Sequence, residues 1–135
     1  MSVSETKQRR GRQEMGDRAN FGIKQFDGNI IFVYGHWAGK GMLDRFAKAL
    51  DNNRTPSDPG YGTRIIISRL VGEKWNYSTG WGITLNYLED TGMPVPVYDF
   101  ATDTVKIYGC CDGSLTEPTE RFTRQEFIDR HLVLV

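Results

Sequence analysis

The run Ile30-Ile31-Phe32-Val33-Tyr34 constrains the fold more than any other stretch of the chain. It is apolar without alternation and too short for a helix. Asp27-Gly28 precedes it, and a glycine-rich segment follows, Gly35-His36-Trp37-Ala38-Gly39-Lys40-Gly41. Such a run reads as a strand buried on both faces, which places it centrally in a sheet. The preceding segment, Arg18 to Phe26, carries Phe21, Ile23 and Phe26. An Asp-Gly step between two apolar segments is a strong signal for a two-residue hairpin turn. The chain therefore opens its ordered part with a β-hairpin.

The segments beyond it alternate in type. Leu43, Phe46, Ala47 and Leu50 follow i, i+3, i+4, i+7 and predict a helix over Met42–Leu50 with one buried stripe. Asn52 to Gly60 is turn chemistry, ending in Asp58-Pro59, an N-cap followed by proline at the first helical position. Tyr61 to Val71, closed by Gly72, then reads as a second helix, although Ile65-Ile66-Ile67 suits a strand equally well. Strands are expected over Thr79–Leu88, Val95–Phe100 and Thr104–Cys110, the last two joined by a hairpin at 101–103. Cys111 to Pro118 reads as loop. Thr123 with Glu126 forms a capping box and opens a last helix to His131, whose imidazole is expected in solvent. The sum is an α+β fold, a two-layer sandwich of a mostly antiparallel sheet with two to three helices.

At 135 residues the chain suits one domain. Residues 1–14 hold Lys7, Arg9, Arg10 and Arg12 with almost no apolar content, which predicts a flexible basic leader before a single domain over 15–135. Seventeen basic and seventeen acidic residues cancel. A balance of zero supplies no strong positive field, which argues against a nucleic-acid or membrane-surface protein. There is no apolar run near the ~20 residues of a membrane span, and no signal peptide is recognisable at residues 1–14. A cytoplasmic protein follows as the expectation. Cys110 and Cys111 are neighbours, a poor geometry for a disulfide, and two thiols do not complete a zinc site. No cofactor or metal is expected.

Residues able to carry chemistry gather near predicted strand ends and helix starts. Lys40 between Gly39 and Gly41, ahead of a helix, suits an anion. The spacing from Gly35 misses the P-loop pattern by one residue and lacks its Ser/Thr. His36 stands where the central strand ends, beside Trp37, and is a candidate base or ligand contact. Arg18 after Asp17, and Arg64 after Gly60-Tyr61-Gly62-Thr63, offer forked donors to a phosphate or carboxylate. Trp81, within Thr79-Gly80-Trp81-Gly82, is either a core residue or a stacking platform.

Met15-Gly16-Asp17-Arg18-Ala19, Tyr34-Gly35-His36-Trp37, Tyr61-Gly62-Thr63-Arg64 and Ser78-Thr79-Gly80-Trp81-Gly82-Ile83 together resemble a family of small bacterial and phage proteins. Its members open with Met-Gly-Asp/Asn-Arg-Ala and carry a Tyr-x-His-Trp segment. The likeness spans about Met15 to Leu85 and implies a prokaryotic or phage origin and a domain start at Met15. It implies no activity. A phage origin is consistent with a counter-defence role, such as sequestering a host signalling nucleotide.

Three readings follow. A non-enzymatic binder of a phosphorylated or nucleotide-like small molecule would use Asp17, Arg18, His36, Trp37, Lys40, Arg64 and Trp81. A small hydrolase would use His36 with Asp17, though no nucleophile or metal set accompanies them. A protein-interaction module or inhibitor of a host factor would draw on the aromatic content, 12% of residues. A symmetric homodimer is compatible with all three.

Overall fold

The computed structural model describes residues 18–36, 38–39, 41–51, 58–89, 91–109 and 115–132. The leader, both cysteines and the apolar C-terminal residues 133–135 therefore lie outside the described residues, as does most of the Asn52–Gly60 loop.

Six strands form one sheet: β1 (Ala19–Lys24), β2 (Ile30–Gly35), β3 (Trp81–Leu85), β4 (Val95–Asp99), β5 (Thr104–Tyr108) and β6 (Pro118–Thr123). Their order is β3-β2-β1-β4-β5-β6. Neighbours pair antiparallel except β1 and β4, the central pair, which run parallel. Three α-helices, α1 (Met42–Leu50), α2 (Pro59–Val71) and α3 (Arg124–His131), cover one face, with α1 between the other two. The α+β architecture is the expected one.

Alternation along the strands sorts side chains between the faces. Phe21, Ile23, Val33, Tyr98, Val105 and Ile107 turn toward the helices and pack with Phe46, Leu50, Ile66, Leu70 and Phe127 in the main core. Aromatic rings tie its layers: Phe21 lies 5.4 Å from Phe46, and Phe46 meets Phe127 edge-on at 6.0 Å. Phe32, Val95 and Val97 point the other way and form a smaller cluster under Leu88 and Leu115. That cluster explains why Ile30–Tyr34 needs no polar alternation: both of its faces are covered. The strand is not central, however. It lies second from an edge, because β3 alone flanks it on the outer side.

Local signals account for the helices. Asp58 accepts the Tyr61 N–H, Pro59 occupies the first turn, and Gly72 ends α2 at φ 63°, a conformation costly for other residues. With both ends set, Thr63, Ile66, Ile67 and Leu70 fall on one buried stripe, so the triple isoleucine runs helical despite its β preference. In α3 the Thr123–Glu126 capping box forms with both of its reciprocal bonds.

The structure departs from expectation at four further places. The first hairpin turns through five residues, 25–29, rather than two: the Gln25 N–H donates to the Asn29 carbonyl, the Gly28 N–H closes a turn on the Gln25 carbonyl, and Gly28 takes a φ of 90°, while Asp27 accepts from the Asn29 main chain and side chain. The strand expected over Thr79–Leu88 is only Trp81–Leu85, since Asn86 takes a left-handed φ of 60° and breaks the extension. Strand β6 was not expected at all. Pro-Thr-Glu-Arg-Phe-Thr has no apolar alternation, and its recruitment rests on main-chain pairing with β5. His131 is half-buried rather than solvated, its ring 4.7 Å from Phe127 and 5.8 Å from Phe122.

Candidate functional site

The β1–β2 register pairs Ala19 with Gly35 and Asn20 with Tyr34. One step further along, Arg18 and His36 reach the same level, at the end of the sheet where β3 begins. The His36 N–H donates to the Gly80 carbonyl at 2.8 Å, which carries the ladder one rung past the strand. Alternation sets Arg18, Asn20, Tyr34 and His36 on the face away from the helices. Beside them β3 contributes Gly82, opposite Tyr34, and a Cβ built there meets nothing within 4 Å. A bare stretch of strand thus adjoins four polar side chains.

Two atoms of this cluster lack partners. Asn20 is 1% exposed; its amide group donates to the Glu89 carbonyl at 2.6 Å, but its Oδ1 accepts nothing. The Arg18 Nε is likewise buried without an acceptor. A buried polar atom left unpaired costs about 1–3 kcal/mol. The pair is chemically complementary: one donor and one acceptor, two residues apart on one face of one strand.

The remaining members of the expected set disperse. Trp81 belongs to the opposite face. Its ring packs over Gly35, and the Arg45 guanidinium sits 6.0 Å from its centroid, so it is a partly buried framework residue. Arg64 projects from the first turns of α2, next to Thr63, which accepts a hydrogen bond from Gln25 beyond the far end of β1. Arg64 therefore lies at the other end of the sheet from Arg18 and His36, exposed in a shallow concavity with Asp58, Gly60 and Tyr61. Asp17, Trp37 and Lys40 lie outside the described residues, so the pairing of His36 with Asp17 has no geometry to examine.

Asn20 and Tyr34 were missed by sequence reasoning, yet a signal existed. Residues 18 and 20, and residues 34 and 36, share a face whenever their segments are extended. A buried asparagine inside an apolar strand is informative for the same reason.

A second concavity lies on the same sheet face at the opposite edge. Lys106 and Arg121 stand as cross-strand partners there, with Thr104, Thr123 and Thr102 around them. Two cations side by side repel, and Glu126 at the rim offsets them in part. Tyr108, also on this face, is raised above its ordinary pKa chiefly by burial, against the lowering influence of Arg121. Among the described residues, no three His, Cys, Asp or Glu side chains gather as a metal site, and no helix is long and apolar enough to cross a membrane.

No family model, curated protein or solved structure matches the chain.

Proposed function

We propose that this protein binds a small anionic molecule that also carries a hydroxyl or amine, as sugar phosphates and nucleotides do, at the Arg18–Asn20–His36 cluster. The observation that carries the reading is the unpaired donor of Arg18 and unpaired acceptor of Asn20, adjacent on the face that His36 shares. A phosphate or carboxylate oxygen satisfies the guanidinium, and a neighbouring hydroxyl or amine proton satisfies the Asn20 Oδ1. Both atoms are out of solvent, where water does not compete and such bonds count for more. The bare backbone at Gly80 and Gly82 leaves room for the ligand body. The reading is narrower than the sequence implied, because Arg64 and Trp81 take no part in it. A base-stacking platform at Trp81 is dropped for the same reason. Sequestration of a host nucleotide by a phage protein remains one biological setting for such a site.

Native mass spectrometry before and after denaturation tests for a co-purified molecule, and thermal shift against a panel of nucleotides and sugar phosphates tests for an added one. Binding lost in Arg18→Ala and Asn20→Ala but kept in Arg64→Ala is the expected result. A panel without any shift and a protein carrying no extra mass refute it, as does binding that survives Arg18→Ala. Loss of binding in Arg64→Ala alone would move the site to the far end of the sheet.

A further inference from the structure

The two edges of the sheet are built differently. Strand β6 is protected in the ways that natural edges usually are: it begins with Pro118, carries Glu120 and Arg121, and its pairing with β5 is irregular at Ile107/Tyr108. Strand β3, Trp-Gly-Ile-Thr-Leu, has no charge, no proline and a regular register with β2. Its pairing with β2 alternates. The bonds flanking the strand, Asn86 N–H to the Ile30 carbonyl and His36 N–H to the Gly80 carbonyl, show that even-numbered residues face β2. The N–H and C=O groups of Trp81, Ile83 and Leu85 therefore point outward from the sheet.

The side chains on that edge are exposed as well. Ile83 is 48% and Leu85 63% exposed, both on the helix-bearing face, and Trp75 at 50% and Tyr77 at 66% stand next to them. Val71, Lys74, Trp75, Tyr77, Trp81 and Ile83 line a cleft of about 170 Å³ there, apolar but for the one lysine. Half-exposed side chains of this size leave on the order of 500 Å² of apolar surface in one place, at the upper end of what a monomer ordinarily shows. Their exposed area, main chain included, is somewhat over half of the ~800 Å² that each partner contributes to a standard interface.

We infer that this edge pairs with β3 of a second copy of the chain, antiparallel about a two-fold axis at Ile83, giving one continuous sheet across the dimer. The strand is self-complementary in that register. Ile83 meets its own equivalent, and the outward groups of Trp81, Ile83 and Leu85 exchange about six main-chain bonds. Leu85 falls opposite Trp81 of the other copy, on the face of the cleft, so each molecule fills the cleft of its twin with an aliphatic side chain. On the other face Gly82 meets Thr84, small against small, and no like charges oppose each other. An isologous contact of this kind closes on itself and does not propagate. The inference is argued from the strand edge and its helix-side side chains, not from Arg18, Asn20 or His36, although Gly82 borders both sites.

Sedimentation equilibrium of the full chain over a range of concentrations tests it, with circular dichroism to confirm folding of each variant. Wild type is expected to run at twice the monomer mass. Ile83→Lys, which sets two ammonium groups face to face on the axis, and Ile83→Glu are each expected to be folded monomers. An equal mixture of the two is expected to restore the dimer. A monomeric wild type at hundreds of micromolar overturns the inference. So does a dimer that survives Ile83→Lys, a larger open assembly, or a mixture that stays monomeric while both variants are folded.

Discussion

Replacing Gly35 with alanine probes the contact that seats β3 on the hairpin. Gly35 sits opposite Trp81 in the β2–β3 register, and the indole lies directly over its Cα. A Cβ at this position would come 2.7 Å from the Ala38 Cβ and 2.8 and 2.9 Å from two Trp81 ring atoms. The Ala38 Cβ is fixed to the main chain, and the two ring atoms give way only if the whole indole of partly buried Trp81 swings out. Gly35 is not among the glycines with positive φ, and its backbone therefore accepts alanine without strain. The effect separates into two opposing parts. Overpacking of a filled site costs about 1–3 kcal/mol, whereas removing a glycine from a strand returns about 0.5–1 kcal/mol. The steric part wins, and a net loss of about 1–2 kcal/mol is expected. For a chain of this length that lowers the Tm by roughly 4–8 °C. Urea and thermal unfolding followed by circular dichroism measure it. Gly82→Ala, on the facing strand with nothing within 4 Å of the new Cβ, serves as the comparison and is expected to be neutral or slightly stabilising. Trp81→Leu combined with Gly35→Ala should cost less than the two separate losses together, by at least about 0.5 kcal/mol, since residues in contact do not add. An unchanged or raised Tm in Gly35→Ala, or strict additivity with Trp81→Leu, would show that the ring does not occupy the space over Gly35.

Two further outcomes are expected. Asp103 holds the β4–β5 hairpin at φ 54° while accepting the hydroxyl of buried Tyr98 at 2.6 Å and the Nε of Arg124 at 2.8 Å. Asp103→Gly keeps the turn but removes both bonds, and about 2–4 kcal/mol should be lost in urea unfolding; a loss below 0.5 kcal/mol, roughly the scatter of such measurements, would show that the carboxylate has no structural role. The His131 imidazole is held below its ordinary value, first by burial and then by Arg130, with Glu120 and Asp44 pulling weakly the other way. The unfolded chain therefore takes up a proton at this position before the folded one does. The stability contribution is complete above about pH 6.5 and falls as the pH drops below that value toward the folded-state pKa. The urea midpoint of His131→Phe should lose this part of the slope between pH 5 and 7, and an identical slope in wild type and variant would refute the assignment.

The sequence by itself determined those elements whose signals are local. The spacing of Phe46, Ala47 and Leu50, the Asp58-Pro59 and Gly72 boundaries of α2, and the Thr123–Glu126 box each act within a few residues, so α1 and α3 were legible with nearly correct ends, while for α2 the caps only tipped the balance against the strand preference of Ile65–Ile67. The apolar run at Ile30–Tyr34 likewise announced a covered strand. Beyond the two hairpins, only the tertiary structure decided which strands stand beside which. The parallel pairing of β1 with β4 at the centre, and the recruitment of polar Pro118–Thr123 to an edge, rest on main-chain bonds between segments far apart in sequence. Such bonds are indifferent to side-chain type and leave no periodicity to read. The candidate site divides in the same way. Arg18 and His36 come together because a hairpin pairs its own two ends, a consequence already contained in the sequence. Arg64 and Trp81 separate from them for two reasons that the sequence does not contain: the direction in which α2 crosses the sheet, and the single-residue alternation that turns Trp81 toward the helices rather than toward His36. One rung of a strand decides which face a side chain serves, and only the completed sheet sets that rung.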